Sequence, residues 1–142
     1  MATLKQLIDV IRDTATVDFA EEIQATYYEK FSFTQDEDAY PRLSFFVADN
    51  GITLNENVNV AIFRFQLLDQ LSGRVNEDVI REDLPSDLID LASRFTSKLY
   101  YDKNVLINYP INITHVDKTG KDGVTAIRFD LSINLARPCL ET

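Results

Sequence analysis

Two stretches of the chain carry apolar residues at the spacing of an amphipathic helix. The first stripe consists of Leu4, Leu7, Ile8 and Ile11. The second stripe consists of Leu88, Leu91, Ala92, Phe95 and Leu99. Pro85 precedes the second stripe, and proline suits the first turn of a helix because no N–H donor is needed there. We therefore predict one helix that ends near residues 14–16 and a second that covers residues 85–101.

Alternation of apolar and polar residues predicts five strands in the rest of the chain. They cover residues 23–33, 42–48, 58–71, 111–116 and 124–136. The first strand has an alternative, because residues 20–25 equally fit the end of a helix. The last strand has the clearest alternation, since one of its faces carries Ile127, Phe129, Leu131, Ile133 and Leu135. Five apolar residues on one face indicate a sheet with one buried side.

Polar segments separate these elements. Asp49-Asn50-Gly51 predicts a turn, because Asn-Gly readily adopts positive φ angles. Residues 36–38 are all acidic and predict an exposed turn, and residues 117–123 predict the polar loop of a hairpin. Residues 74–84 are acidic and fit either a short helix or an arm.

The order of helix, strands, helix and hairpin predicts the α+β class. A length of 142 residues fits one domain, which we assign to residues 1–142. We expect a mostly antiparallel sheet, two main helices packed on one of its faces, and a C-terminal β-hairpin.

The predicted strand over residues 58–71 changes its apolar face midway. Its first half places Val58, Val60 and Ile62 on one face, and its second half places Phe63, Phe65 and Leu67 on the other. Such a change indicates either a bulge or a strand covered on both sides by different partners. One layer of helices cannot cover both faces, so we expect part of this strand to meet another chain.

The candidate subunit interface therefore includes the first half of that strand. Its residues are Val58, Val60 and Ile62. To these we add three polar residues at the predicted terminal hairpin, Asp117, Lys118 and Lys121.

Composition excludes several classes of function. The chain has 14 basic and 23 acidic residues, a net charge of −9 at pH 7. A chain this acidic, without a basic cluster, is poorly suited to gripping nucleic acid. The single cysteine, Cys139, cannot close an internal disulfide, and one histidine excludes the common multi-histidine metal sites.

No motif for catalysis or cofactor binding is apparent. His115 is the sole imidazole, and no G-x-S-x-G or similar nucleophile motif accompanies it. The 117–123 loop contains Gly-Lys and spaced aspartates but lacks the full P-loop and EF-hand patterns. We therefore expect no catalytic residue, no cofactor and no metal ion. A small-molecule enzyme that uses His115 with Asp117 is the least favoured alternative.

The six tyrosines have two interpretations. Tyrosines often anchor protein interfaces, but aromatic residues are also common in strands that form no interface, because they favour the strand conformation. The residues concerned are Tyr27, Tyr28, Tyr40, Tyr100, Tyr101 and Tyr109.

No segment resembles a membrane span or a secretion signal. The longest apolar runs have four or five residues, whereas a span needs roughly 20. Charged residues such as Lys5 and Asp9 interrupt the apolar stretch that a signal peptide would need. We expect a protein made in the cytoplasm, without membrane contact.

Several strings of this sequence resemble the tail-terminator and tail-completion proteins of tailed phages. They are YPRLSFFV at residues 40–47, VNVAIFRFQLLDQL at residues 58–71, and the terminal hairpin INITHVDKTGKDGVTAIRFDLSINLARPC at residues 111–139. The helix over residues 85–101 occupies the corresponding place in the order of elements. The segment GRVNEDVIREDLP at residues 73–85 departs from the short connection usual in that family.

The resemblance implies a structural, non-enzymatic virion protein. Such a protein forms a homo-oligomeric ring, sixfold or twelvefold, in the tail or neck. It terminates the tail tube, joins it to the head-side connector and contacts other tail and connector proteins. DNA passes through the channel without specific binding, which suits an acidic chain. The expected location is the virion, with assembly in the host cytoplasm.

A second hypothesis belongs to a different class. The chain would be a stand-alone acidic α+β adaptor or inhibitor that binds another protein. This hypothesis needs no ring and predicts a monomer or a dimer.

Overall fold

The structure is a computed structural model that describes residues 3–29, 41–56, 58–70, 77–118 and 124–135. The helices are α1 (Leu4–Asp13) and α2 (Glu77–Ser97), each continued by a π-helical turn, Thr14–Asp18 and Lys98–Asp102 respectively. The strands are β1 (Ala25–Tyr28), β2 (Arg42–Thr53), β3 (Asn59–Gln70), β4 (Ile107–Asn108), β5 (Ile113–Lys118) and β6 (Val124–Leu135). Among the described residues, no helix is both long and apolar enough to cross a membrane.

The six strands form one mostly antiparallel sheet, which confirms the predicted α+β class. Its order is β1-β2-β3-β6-β4, and β5 pairs with the same strand, β6, as β4 does. The pairing of β1 with β2 is parallel, and all the other pairings are antiparallel. The predicted C-terminal hairpin is the β5–β6 pair.

Both helices pack on one face of this sheet, which we call the helix-covered face. A row of stacked phenylalanines crosses the three longest strands there. The ring of Phe65 lies 5.6 Å from that of Phe45 and 5.1 Å from that of Phe129. From α2, Phe95 meets Phe65 edge-on at 6.1 Å, and Leu7 of α1 joins the same core. Each fully buried side chain of this size contributes about 1.5–3 kcal/mol, so this row anchors the fold.

The start of α1 is set by a reciprocal pair of hydrogen bonds. The Thr3 hydroxyl accepts from the Gln6 amide at 3.3 Å, and the Gln6 side chain accepts from the Thr3 amide at 2.9 Å. Two N–H groups that the first helical turn leaves unpaired are thereby satisfied. The predicted helix ends where expected, since the α-helical part stops at Asp13.

The second helix begins earlier than predicted. It starts at Glu77, so Pro85 lies inside the helix and not in its first turn. A proline in a helix interior costs about 3 kcal/mol. On both sides of it, Leu84, Leu88 and Leu91 are buried, and each contributes about 1.5–3 kcal/mol by its burial. Packing against the sheet therefore outweighs the proline, a balance that local sequence signals do not register.

The turn predicted at residues 49–51 is wrong. Asn50 has the expected positive φ, 55°, but the segment lies within β2. Between Val47 and Ile52 the chain forms an irregular bulge, because β2 advances five residues while the paired β3 advances two. Gly51 is required there, since a Cβ at this position would lie 2.7 Å from the Ala48 carbonyl oxygen.

The ends of two other strands differ from the predicted ones. The first strand is shorter than predicted and ends at Tyr28, and β5 runs on to Lys118. Several predicted features lie outside the described residues. These are the acidic residues 36–38, residues 73–76, the hairpin loop at residues 119–123, Tyr40 and Cys139.

Candidate interaction surface

The candidate interface residues of β3 lie on the sheet face opposite the helices, which we call the open face. Val60 and Ile62 are half-buried there. The alternating residues of the same strand, Ala61, Phe63 and Phe65, are fully buried on the helix-covered face. The two apolar sets therefore do lie on opposite faces, as their spacing predicted.

The predicted switch of the buried face along this strand is wrong. Ala61 is already part of the core, so the helix-covered face is continuous from there to Leu67. Pairing with β6 runs without interruption from Asn59 to Gln70, and hence the bulge lies in β2 and not in β3. Because side chains alternate strictly along an unbroken strand, Val60 and Ile62 remain as apolar residues on the other face.

Polar groups surround Ile62 on the open face. Arg64 and Asp130 form an ion pair at 3.7 Å, with both side chains about half exposed. The side-chain Nδ2 of Asn108 donates to the side-chain Oδ1 of Asn134 at 2.9 Å. A shallow groove of about 360 Å³ lies between Ile62 and the chain leading into β5. Its lining includes Asn108, Asn112, Thr114, Arg128 and Ser132.

The other end of the open face is buried and mixes apolar with polar side chains, since Leu68 of β3 and Ala126 of β6 form a small apolar cluster there with Val116. Gln66 is 1% exposed, and its side-chain oxygen accepts from Arg128 Nε at 2.7 Å. Its Nε2 atom has no hydrogen-bond partner in the described part of the chain. Ser44, which pairs with Gln66, is also buried. The open face thus carries the half-buried pair Val60–Ile62 at one end and a fully buried set of apolar and polar residues at the other.

The structure does not bring all the candidate interface residues together. Ile62 pairs with Ser132 of β6, whereas Asp117 pairs with Thr125, seven residues away along the same strand. At about 3.4 Å per residue the separation is about 24 Å. Asp117 and Lys118 therefore belong to a different region of the sheet from Val60 and Ile62.

Val58 and Lys121 are the two remaining residues of the predicted interface. Val58 is half-buried just before β3, and its amide donates to the Asn55 side chain at 2.8 Å. Lys121 lies outside the described residues.

His115 takes part in a contact between two strands. Its Nε2 atom lies 2.8 Å from the hydroxyl of Thr125 on β6, and the imidazole is exposed at the outer edge of the sheet. Over the described ranges, no three His, Cys, Asp or Glu side chains converge as metal ligands would.

A cluster of exposed tyrosines lies at the end of α2. The ring of Tyr100 meets that of Tyr101 at 4.9 Å and that of Tyr109 at 5.8 Å, both edge-on. Burial raises the pKa of the Tyr109 hydroxyl, and the neighbouring Tyr101 and Tyr100 add to the same direction. Tyrosine content predicted possible interface anchors, but only the fold brings these three together.

Next to Tyr109, an apolar groove of about 410 Å³ separates α2 from the chain before β5. Its lining includes Ala92, Thr96, Ile111, Ile113 and Phe129. Neither the groove nor the exposure of Ile113 is signalled by the sequence, because both depend on how α2 crosses the sheet.

No protein-family model matches the chain, and no curated protein matches its sequence. The function has to be inferred from the surfaces of the molecule itself.

Proposed function

We propose that this protein is a structural, non-enzymatic subunit of a tailed-phage virion. It assembles into a ring in the tail or neck, ends the tail tube and joins it to the head-side connector. The observation that carries the proposal is the apolar pair Val60–Ile62 on the sheet face that the helices do not cover. The strings that resemble tail-terminator proteins favour a ring of the tail or neck over other kinds of ring.

An α+β protein that acts alone is best served by a polar open face. Here the neighbours of the apolar pair are polar, since Val60 lies opposite Asn134 and Ile62 opposite Ser132 on β6. Covering two such aliphatic side chains contributes up to about 1.5–3 kcal/mol each. Association entropy offsets part of this gain. A closed ring compensates, because every subunit in it is held by two neighbours.

The charge of the chain fits a channel for DNA. A net charge of −9 gives a ring of several copies a strongly negative field, which repels phosphate groups at close range. DNA would then pass through without being retained, as a tail requires. A ring that gripped DNA would instead carry clustered lysine and arginine residues.

The substitution Val60→Asp tests the proposal. It places a charge on the open face, where water still reaches the half-buried side chain of the free subunit. We expect the variant to fold, as judged by circular dichroism and thermal melting, and to be lost from the ring. Native mass spectrometry and negative-stain electron microscopy of the purified protein measure the loss.

Val17→Asp is the matched control. Val17 is 71% exposed in the turn after α1, so the same change of chemistry there should leave the ring intact. A wild-type protein that stays monomeric or dimeric up to its solubility limit would refute the ring and favour the adaptor hypothesis. Rings formed equally well by Val60→Asp would show that Val60 is covered within its own subunit.

A further inference from the structure

The strands at the two edges of the sheet run in opposite directions. At one edge lies β1, which is parallel to β2. From β2 through β3 and β6 to β5, every step is antiparallel, so β5 runs opposite to β1. A second copy, placed beside the first by rotation about an axis along the strands, would set its β1 antiparallel to the first copy's β5.

We propose that neighbouring subunits join in this way, so that β5 of one copy pairs with β1 of the next and the sheets become continuous. The inference rests on the proposed ring and adds a contact at the sheet edges, separate from the Val60–Ile62 pair, because that pair lies on the central strand β3. Such a contact is heterologous, because it uses two different surfaces, and repeated rotation closes it into a ring.

Among the described residues, the backbone at each edge has one free side for pairing. In the described part of the chain, β1 pairs with β2 alone and β5 with β6 alone. The Glu29 amide donates to the Phe45 carbonyl, which directs the N–H and C=O of the preceding Tyr28 toward the outer edge because successive residues alternate. Exposed edges of this kind are templates for another strand.

Over the four residues that would pair, both edges lack the proline and charged side chains that commonly block pairing, and β5 continues into Asp117 and Lys118 beyond the proposed contact. Natural edge strands are commonly blocked by proline, by charged side chains or by a bulge. Residues 25–28 read ATYY and residues 113–116 read ITHV, without proline, glycine, lysine or a carboxylate. These are the residue types that favour strands and cross-strand contacts.

The side chains at the two edges also match by face. Ile113 lies on the helix-covered face, opposite Phe129, and Tyr28 lies on the same face, with its ring 5.2 Å from that of Phe45. Tyr28 is 39% exposed and Ile113 is 37% exposed. Pairing them across the contact covers one exposed apolar residue with another.

In one antiparallel register, every pair of opposed residues from β5 and β1 lies on the same face of the sheet. With Ile113 opposite Tyr28, the other pairs are Thr114 with Tyr27, His115 with Thr26, and Val116 with Ala25. Residues of each pair share a face, since Thr114 and Val116 lie on the open face as Tyr27 and Ala25 do. No pair sets like charges against each other, and aromatic residues meet β-branched ones, which is a favourable combination.

A disulfide trap tests the contact directly. Thr26→Cys and His115→Cys are combined in a Cys139→Ser background, so that the two new cysteines are the only ones. Directly opposed residues have Cβ atoms about 4.5–5.5 Å apart, close to the distance a disulfide spans. After mild oxidation, we expect a ladder of covalent oligomers that ends at the copy number of the ring and disappears on reduction.

The single-cysteine variants are the controls. A heterologous contact predicts no cross-linking in Thr26→Cys alone or in His115→Cys alone. Dimers in either single variant would show that like edges meet, and would overturn the proposed pairing. Rings seen by electron microscopy without a ladder would overturn the edge contact but leave the ring. Absence of both rings and ladder would overturn both proposals.

A second pair of variants measures the contribution of the edge contact. Ile113→Lys puts a charge at the contact, and we expect the dissociation constant of the assembly to rise about tenfold or more. Ile89→Lys is the matched control on α2, where the isoleucine is 41% exposed, and should leave the assembly unchanged. Equal effects of the two lysines would contradict the assignment.

Discussion

The stability of the fold should depend strongly on the ring of Phe129, which belongs to the row of stacked phenylalanines. This side chain is buried on the helix-covered face. Its ring stacks on that of Phe65 at 5.1 Å, with the two planes only 4° apart. The substitution Phe129→Ala removes the ring from the centre of the sheet, between two paired strands that cannot move together to fill the space.

The expected cost follows from this packing. Deleting a buried phenylalanine ring typically costs about 3–5 kcal/mol, and a cavity that cannot collapse lies in the upper part of that range. Loss of the aromatic pair accounts for about 0.5–1.5 kcal/mol of the total. We therefore expect a loss of about 4 kcal/mol in the free energy of unfolding. Domains are stable by about 5–15 kcal/mol, so the variant should fold but be close to its limit.

Urea unfolding followed by circular dichroism measures the loss, with Asp130→Ala as the control. Asp130 is the next residue along β6 and lies on the open face, where its ion pair with Arg64 is half exposed. Removing such a pair costs below about 1 kcal/mol. Equal losses in the two variants would refute the assignment of the faces of β6.

Three further predictions concern single positions. Gly51→Ala should lower the melting temperature, because the new Cβ would lie 2.7 Å from the Ala48 carbonyl oxygen; an unchanged melting temperature would contradict the bulge geometry. Arg128→Ala leaves the buried side-chain oxygen of Gln66 without this donor and should cost about 1–3 kcal/mol in urea unfolding; a cost near zero would show that water replaces the donor. His115→Ala should at most weaken the ring as measured by native mass spectrometry, because the main-chain pairing proposed for β5 does not need the imidazole; complete loss of the ring in a folded variant would contradict this.

Local sequence signals predicted an element correctly where its apolar residues repeat at one clear spacing and the folded protein buries that same face. The stripe of α1, the alternation of β6 and the position of the terminal hairpin were all predictable, because each segment needs one buried face. The opposite placement of Val60 and Phe63 was predictable for the same reason, since alternation on a strand is a matter of backbone geometry.

Sequence signals failed where a distant contact outweighs a local preference. Pro85 and Asn50-Gly51 are strong local markers of a helix start and a turn. Yet the first lies within α2 and the second within β2, because the surrounding chain packs on or pairs with the sheet. Local preferences amount to a few kcal/mol, and the burial of several core residues exceeds that.

By itself, the sequence determined the α+β class, the apolar faces of the strands and an acidic chain without a recognisable catalytic motif. The tertiary structure decided which strands are neighbours, and so it decided the surfaces. It separates Asp117 from Ile62, brings three tyrosines together, and leaves β1 and β5 at opposite edges with opposite directions. The physical reason is that period along a strand is a local property, whereas strand order and edge depend on pairings between residues far apart in the chain.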